Sequence, residues 1–203
     1  MQLSVNLNKI ALLRNSRGND TPSLIEYALL CIELGVDGLT LHPRPDHRHA
    51  TSEDAIAIAK ICKKNNIEFN LEGNPFSLPT GAFQGFQNIC NLSTPNQITL
   101  VPDSLDQITS DHGWQPDYLA TELKDFLLSV KNSSSRSSLF IDIDLRAVEY
   151  AGDIGFERVE FYTGPFAHYV ERNDIEKINK IKKELTRCID KAKELNLGIN
   201  AGH

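Results

Sequence analysis

The sequence is poor in the features that mark specialised proteins. It has one methionine, one tryptophan and four cysteines in 203 residues. Cys31, Cys62, Cys90 and Cys188 form no CxxC pair, and each falls in or near a predicted helix, so they read as reduced thiols of a cytoplasmic protein. No apolar run approaches the roughly 18 residues of a transmembrane helix. The start, Met1-Gln2-Leu3-Ser4-Val5-Asn6, has neither a basic segment nor a long apolar one, which argues against a signal peptide. Basic residues do not dominate: 21 Lys and Arg against 27 Asp and Glu give a formal charge of −6, so there is no global field for nucleic acid or an anionic membrane. Anionic small substrates remain open, because a local basic cluster can hold them against the net charge. A GxGxxG turn, a Walker A loop and an HExxH pair are also missing, which removes the commonest nucleotide and zinc signatures.

What is present is ordinary globular composition, 40% hydrophobic and 24% charged. The length suits one domain, residues 1–203. Short β-rich runs alternate with helical patterns. Strands are predicted at Leu3–Leu7, Gly38–His42, Glu68–Glu72, Gln97–Val101, Ser138–Ile143 and Arg158–Tyr162, with a seventh in Leu197–His203. A basic loop is expected at Asn8–Gly18. A helix then follows Thr21, read as N-cap, with Pro22 at its first position. Further helices are expected after Thr51, near Phe83–Asn91, over Asp117–Val130 and Leu145–Ile154, and from Asp174 to Leu195.

This βα alternation implies a parallel sheet with right-handed crossovers. An open doubly wound sheet and a (β/α)8 barrel compete. Asn6, His42, Glu72, Asp103, Asp142, Glu160 and His203 all fall at or just beyond predicted strand C-termini, which is where a barrel places its active-site rim. The expected fold is therefore a TIM-type α/β barrel with seven of its eight strands, lacking the final helix and eighth strand.

Several clusters carry chemistry. Asn6–Gly18 holds Asn8, Lys9, Arg14 and Arg17 directly after a strand: either a solvated loop or an anion clamp in which Arg17 offers its planar fork to phosphate. His42-Pro43-Arg44-Pro45-Asp46-His47-Arg48-His49 packs three histidines and two arginines into a proline-stiffened stretch. It reads as a phosphate and acid–base site, with a metal site or a plain surface loop as the alternatives; flanking arginines repel a metal cation. Glu72 ends a strand. Glu160 sits within Val159-Glu160-Phe161-Tyr162, where it faces a polar interior as a proton-transfer group or serves a structural ion pair. Asp142 and Asp144 fit a divalent ion or a helix cap, with the cap favoured for Asp144. His203 follows two small residues and points into a pocket or is a plain chain end.

Taken together and in order, these segments resemble pyridoxine 5′-phosphate synthases, the PdxJ family of vitamin B6 biosynthesis. The matching pieces are Val5-Asn6-Leu7-Asn8-Lys9-Ile10, Leu13-Arg14-Asn15-Ser16-Arg17-Gly18, Asp37-Gly38-Leu39-Thr40-Leu41-His42-Pro43-Arg44, His47-Arg48-His49, and Phe69-Asn70-Leu71-Glu72. Later come Thr99-Leu100-Val101-Pro102 through Thr109, Leu139-Phe140-Ile141-Asp142, Val159-Glu160-Phe161-Tyr162-Thr163-Gly164 and Asn200-Ala201-Gly202-His203.

The resemblance implies a (β/α)8 barrel with extra helices, assembled as a homo-oligomer, with no metal and no organic cofactor. It implies condensation of 3-amino-2-oxopropyl phosphate (aminoacetone phosphate) with 1-deoxy-D-xylulose 5-phosphate to pyridoxine 5′-phosphate, phosphate and water. By the same resemblance His42 and Glu72 accept protons, His203 donates one, and Glu160 is a further acid–base or amine-positioning group. Asn6 and Arg17 would hold aminoacetone phosphate. Arg44, His49, Thr109, Asn8 and Lys9 would hold the deoxyxylulose phosphate. Nucleic acid and membrane are not expected partners.

Three departures accompany the resemblance. Asn8-Lys9 stands where many members carry Asp-His, and lysine can still meet a phosphate. Gly73–Ser93 is longer than usual and is expected to alter the barrel rim or an oligomer contact. The chain stops at His203, where the family continues with a helix, an eighth strand and a Gly-His turn. The expectation is a truncated or incompletely represented form of a longer enzyme; the alternative is a non-catalytic remnant that binds phosphate ligands or serves oligomerisation.

Overall fold

A computed structural model of the chain describes residues 1–107, 109–130 and 135–202. Its strands are β1 (Ser4–Asn6), β2 (Gly38–Leu41), β3 (Glu68–Gly73), β4 (Gln97–Leu100), β5 (Arg136–Ile141), β6 (Arg158–Tyr162) and β7 (Gly198–Gly202). Its helices are α1 (Asn8–Arg17), α2 (Leu24–Glu33), α3 (Ser52–Asn65), α4 (Phe86–Ser93), α5 (Ala120–Val130), α6 (Leu145–Ile154), α7 (Gly164–Glu171) and α8 (Ile175–Glu194). The alternation makes this an α/β fold of the barrel type. The chain divides into two compact units, Met1–Ile98 with Ser129–Ser135, and Thr99–Leu128 with the residues from Arg136 onward.

In the first unit β1, β2 and β3 pair in parallel, with Asn6 opposite Thr40 and Thr40 opposite Asn70. Successive strand residues point to opposite faces. Leu39, Leu41, Phe69 and Leu71 therefore share the face that packs under helices, and all four are fully buried. Ser4, Thr40, Asn70 and Glu72 share the other face. Helix α3 begins where the sequence placed it: Thr51 caps it, and Asp54 returns a bond to the Thr51 N–H, a complete capping box. Asn66, in the left-handed region at φ 55°, ends it.

Two expectations fail here. Asn8–Arg17 is a helix, not a loop. Its amides and cations hid a pattern in which Leu7 and Ala11 are buried. The next helix starts later than expected, at Leu24. Ser23, not Thr21, accepts the capping bond from Glu26 N–H.

In the second unit β5, β6 and β7 pair in parallel, with Phe140 opposite Glu160 and Glu160 opposite Asn200. Leu139, Ile141, Val159 and Phe161 form the buried apolar face. Helix α6 matches its expected bounds, and Asp144 caps it through Arg146 N–H at 3.0 Å. Asp174 caps α8 in the same manner. Helix α7 was not anticipated; eight residues opening Gly-Pro carry too little periodicity to stand out.

Candidate functional site

The first unit builds a polar ladder across the strand face opposite its apolar core. Ser4 Oγ and Thr40 Oγ1 lie 2.8 Å apart, and Asn70 Nδ2 donates to Thr40 Oγ1 at 3.3 Å. Gln97 Nε2 donates to Asn70 Oδ1 at 3.2 Å. Thr40, Asn70 and Gln97 are buried, so each needs its partners. The ladder ends on a charge. Asn70 Nδ2 also reaches Glu72 Oε1 at 3.4 Å, and Asn6 Nδ2 reaches Oε2 at 3.5 Å. Glu72 thus meets an amide on each oxygen.

Beyond the end of β2 lies the histidine–arginine stretch. Asn8 Oδ1 accepts from His42 N–H at 2.9 Å, while Asn6 Oδ1 accepts from Asn8 N–H at 2.9 Å. The first bond ties the start of α1 to the end of β2, and the second ties it to the end of β1. The His42 and His49 rings meet edge-on at 5.7 Å. Asp46 sits between Arg44, at 3.4 Å, and Arg48, whose Nε bonds it at 2.8 Å. Burial pushes the Asp46 carboxyl up, but the Arg48 bonds and the charge of Arg44 leave it below the usual carboxylate range. Arg44 is almost wholly buried.

His49 has its imidazole pushed down to about 4, first by burial and then by His42 and Arg44. Its Nδ1 is buried and meets no hydrogen-bonding atom among the described residues. The His49 imidazole is therefore neutral near neutral pH beside a buried guanidinium.

Helix α1 supports this stretch from behind. Asn15 Nδ2 donates to the carbonyl oxygens of His47, at 3.0 Å, and His49, at 2.7 Å. His47 takes φ 52°, which that double bond helps to hold. The long segment after β3 lies on the other side: the Phe83 ring is 6.5 Å from His47. That segment closes on itself through a Thr80–Phe83 bridge and buries Phe83, Phe86 and Ile89.

Lys9 and Arg17 are both exposed and lie at opposite ends of α1. Eight residues of helix separate them by about 12 Å of axial rise, so the helix does not bring these two cations together. No acidic residue occupies the first turn of α1, which leaves that end receptive to an anion.

In the second unit Glu160 stands in the middle of β6, not at its end as expected. It is half-buried, and desolvation pushes its carboxyl up to about 7, while a hydrogen bond from the Asn200 side chain pulls it down. Asp142 follows β5, and its Oδ1 accepts from Gly113 N–H at 3.1 Å. That holds the segment after β4, with Trp114 N–H bonding the Phe140 carbonyl at 2.9 Å. Asp142 therefore anchors a loop and Asp144 caps a helix. Thr109 is exposed in the same loop. His203 lies outside the described residues. Among those residues no group of histidine, cysteine and carboxylate side chains is placed to hold a metal, and no helix is long and apolar enough to cross a membrane.

Sequence reasoning missed Asn15, Thr40 and Gln97 as parts of the site's support. Thr40 and Asn70 were legible in principle, since polar residues at period two inside apolar strands mark a polar interior face. Asn15 had no such signal.

The fold is an α/β fold of the barrel type, and in each unit polar and charged side chains gather on the strand face opposite the apolar core. The sequence matches the family described as pyridoxal phosphate biosynthesis protein PdxJ over residues 3–203, and the chain belongs to that family. A pyridoxine 5′-phosphate synthase of Xanthomonas axonopodis pv. citri is 41% identical over 202 residues, covering 100% of this chain and 78% of that protein. Among solved structures, deoxyribose phosphate aldolase from Aeropyrum pernix is similar in fold, with a TM-score of 0.56 at 12% identity over 99% of this chain and 74% of that one. A mutant tryptophan synthase α-subunit from Pyrococcus furiosus gives a TM-score of 0.50 at 10% identity, over 98% of this chain and 85% of that one. The family places the chain among the enzymes of vitamin B6 synthesis.

Proposed function

We propose that the chain condenses 3-amino-2-oxopropyl phosphate with 1-deoxy-D-xylulose 5-phosphate to give pyridoxine 5′-phosphate, phosphate and water. The observation that carries this reading is the Glu72 carboxylate held by Asn6 and Asn70, one strand from His42, Arg44 and His49.

The chemistry asks for such a site. An amine and a ketone must join as an imine, lose water and phosphate, and close an aromatic ring. Every step moves a proton, so bases and acids must be fixed near the reacting atoms. Glu72, oriented by the Asn6 and Asn70 amides, is one proton acceptor and His42 is a second. Glu160, with its carboxyl near 7, can act as acid or base close to neutrality. His203 is the donor by resemblance to the family. Arg44 and His49, with Asn8 and Lys9 at the start of α1 and Thr109 in the loop after β4, hold the deoxyxylulose phosphate. Asn6 and Arg17 hold the aminoacetone phosphate. The loop Asp103–Pro116 closes over reactive intermediates. We place the enzyme in the cytoplasm as a homo-oligomer. Its buried free thiols suit a reducing compartment, and α2 exposes Ile25, Leu29 and Leu30 as an apolar face.

The test is turnover of both substrates by the purified chain, followed as pyridoxine 5′-phosphate. Loss of product in His42→Ala and Glu72→Ala supports the assignment, and unchanged turnover in both overturns it. Binding of the phosphates without product in the unaltered chain would favour a binding module instead.

A further inference from the structure

Strand β7 reads Gly198-Ile199-Asn200-Ala201-Gly202, and its pairing gives that pattern a meaning. Gly198 faces Arg158, Asn200 faces Glu160, and Gly202 faces Tyr162. One face of β7 thus carries a single amide between two glycines. Both glycines leave room for side chains arriving from β6. A Cβ at Gly198 would lie 2.4 Å from Arg158 Nη1, and a Cβ at Gly202 would lie 2.7 Å from Glu160 Oε1. The space is cleared for a guanidinium on one side of Asn200 and a carboxyl on the other.

Arg158 uses that space to grip the carbonyl end of the amide. Its Nε and Nη2 donate to Asn200 Oδ1 at 3.2 and 2.7 Å, and Nη2 also bonds the Ile199 carbonyl oxygen at 3.2 Å. A guanidinium has donors only, so it fixes which end of the amide it meets. The Nδ2 end is then left for Glu160, the register partner of Asn200, whose carboxyl is pulled down by a hydrogen bond from the Asn200 side chain. Were the amide reversed, Oδ1 would face the carboxyl and repel its ionised form.

We propose that Arg158 is a positioning residue for the reaction: by clamping Asn200 Oδ1 it aims the Asn200 N–H at Glu160 and holds that carboxyl in one orientation. The inference rests on the reading of Glu160 as a proton-transfer group. The same device recurs in the first unit, where Gln97 clamps Asn70 Oδ1 and Asn70 Nδ2 meets Glu72. The second unit replaces the neutral clamp by a cation. On the Glu160 face of β5, β6 and β7 the charged or titratable described groups are Arg136, Arg158, Glu160 and Tyr162.

The test is steady-state kinetics across pH on the full chain, with thermal melting to verify folding. Glu160→Gln is expected to lower kcat and remove one inflection from its pH profile. Arg158→Met is expected to lower kcat by about 10-fold or more, the scale of one hydrogen bond to a charged group. KM should stay within about 2-fold, and the same inflection should move to higher pH, because the ionised carboxyl loses its aimed donor. Combining Arg158→Met with Glu160→Gln should cost no more than Glu160→Gln alone. Arg158→Lys keeps the charge without the fork and should restore little. Gly198→Ala displaces the guanidinium while leaving every charge in place; it should reproduce Arg158→Met and decides the matter should that variant fail to fold. Independent, multiplying losses in the double variant, or an inflection unmoved in both Arg158→Met and Gly198→Ala, overturn the proposal. Unchanged kcat and profile in Glu160→Gln overturn the role of Glu160 itself and the proposal with it.

Discussion

Arg14 grips Asp54 through two parallel bonds, each 2.7 Å, from the last turn of α1 to the first turn of α3. Both side chains are largely buried. Asp54 also accepts from Thr51 N–H, so one carboxylate joins two helices and closes a capping box. Burial pushes that carboxyl up, yet the bonds from Arg14 and Thr51 outweigh it and hold it below the usual range. Arg14 Nε also donates to Oδ1 of its neighbour Asn15 at 3.1 Å, and Asn15 supports the histidine stretch. Arg14→Ala should therefore lower stability by about 2–3 kcal/mol in urea denaturation, since it strands a largely buried carboxylate. The contribution of Asp54 is present above its unfolded value, about 3.9, and is lost as pH falls through its lower folded value. Asp54→Asn should flatten that acid limb.

His49 predicts a further loss of stability toward acid, beginning at higher pH than that of Asp54. Its folded imidazole titrates near 4, below the unfolded value of about 6.5. The unfolded chain binds the proton first, so stability is full above about 6.5 and falls as pH drops toward 4. His49→Gln should remove that slope. Inorganic phosphate bound beside Arg44 would favour the charged ring, so NMR titration should show the His49 midpoint rising on adding phosphate. A midpoint that ignores phosphate would count against its role in anion binding.

Glu72 depends on neutral amides. Asn70→Leu removes the donor to Oε1 and leaves Gln97 and Thr40 without a partner they share. Turnover should fall about 10- to 100-fold, the range of a lost hydrogen bond to a charged group. Gln97→Leu should show a smaller loss of the same kind, because it frees the Asn70 amide to rotate without removing it. Equal KM across the three proteins would show that orientation, not substrate affinity, has changed.

Two glycines separate packing from backbone strain. A Cβ at Gly113 would lie 2.4 Å from the backbone of Ile141 and Asp142, which cannot move aside cheaply. A Cβ at Gly18 meets nothing within 4 Å, but φ +65° disfavours any side chain. Gly113→Ala should cost more than about 2 kcal/mol and loosen the loop held by Asp142. Gly18→Ala should cost about 1 kcal/mol. Paired thermal melts give the comparison.

Much of this protein was legible from its sequence because the signals were local. The apolar alternation of Leu39, Leu41, Phe69 and Leu71 needs only the two-residue repeat of a strand. The capping residues Thr51, Asp144 and Asp174 bond within three positions of themselves, so their neighbours reveal them. The ordered motifs from Asn6 to Gly202 were enough to reach the family. Non-local decisions lay elsewhere. Asn8–Arg17 looked like a polar loop, and only the packing of Leu7 and Ala11 makes it a helix. Asn15 acts on carbonyls more than thirty positions away. Arg158 and Asn200 meet across 42 positions, set by the β6–β7 register. A sequence states which side chains exist and what each can donate or accept. Which oxygen each donor meets is a matter of register and packing, and that only the tertiary structure decides.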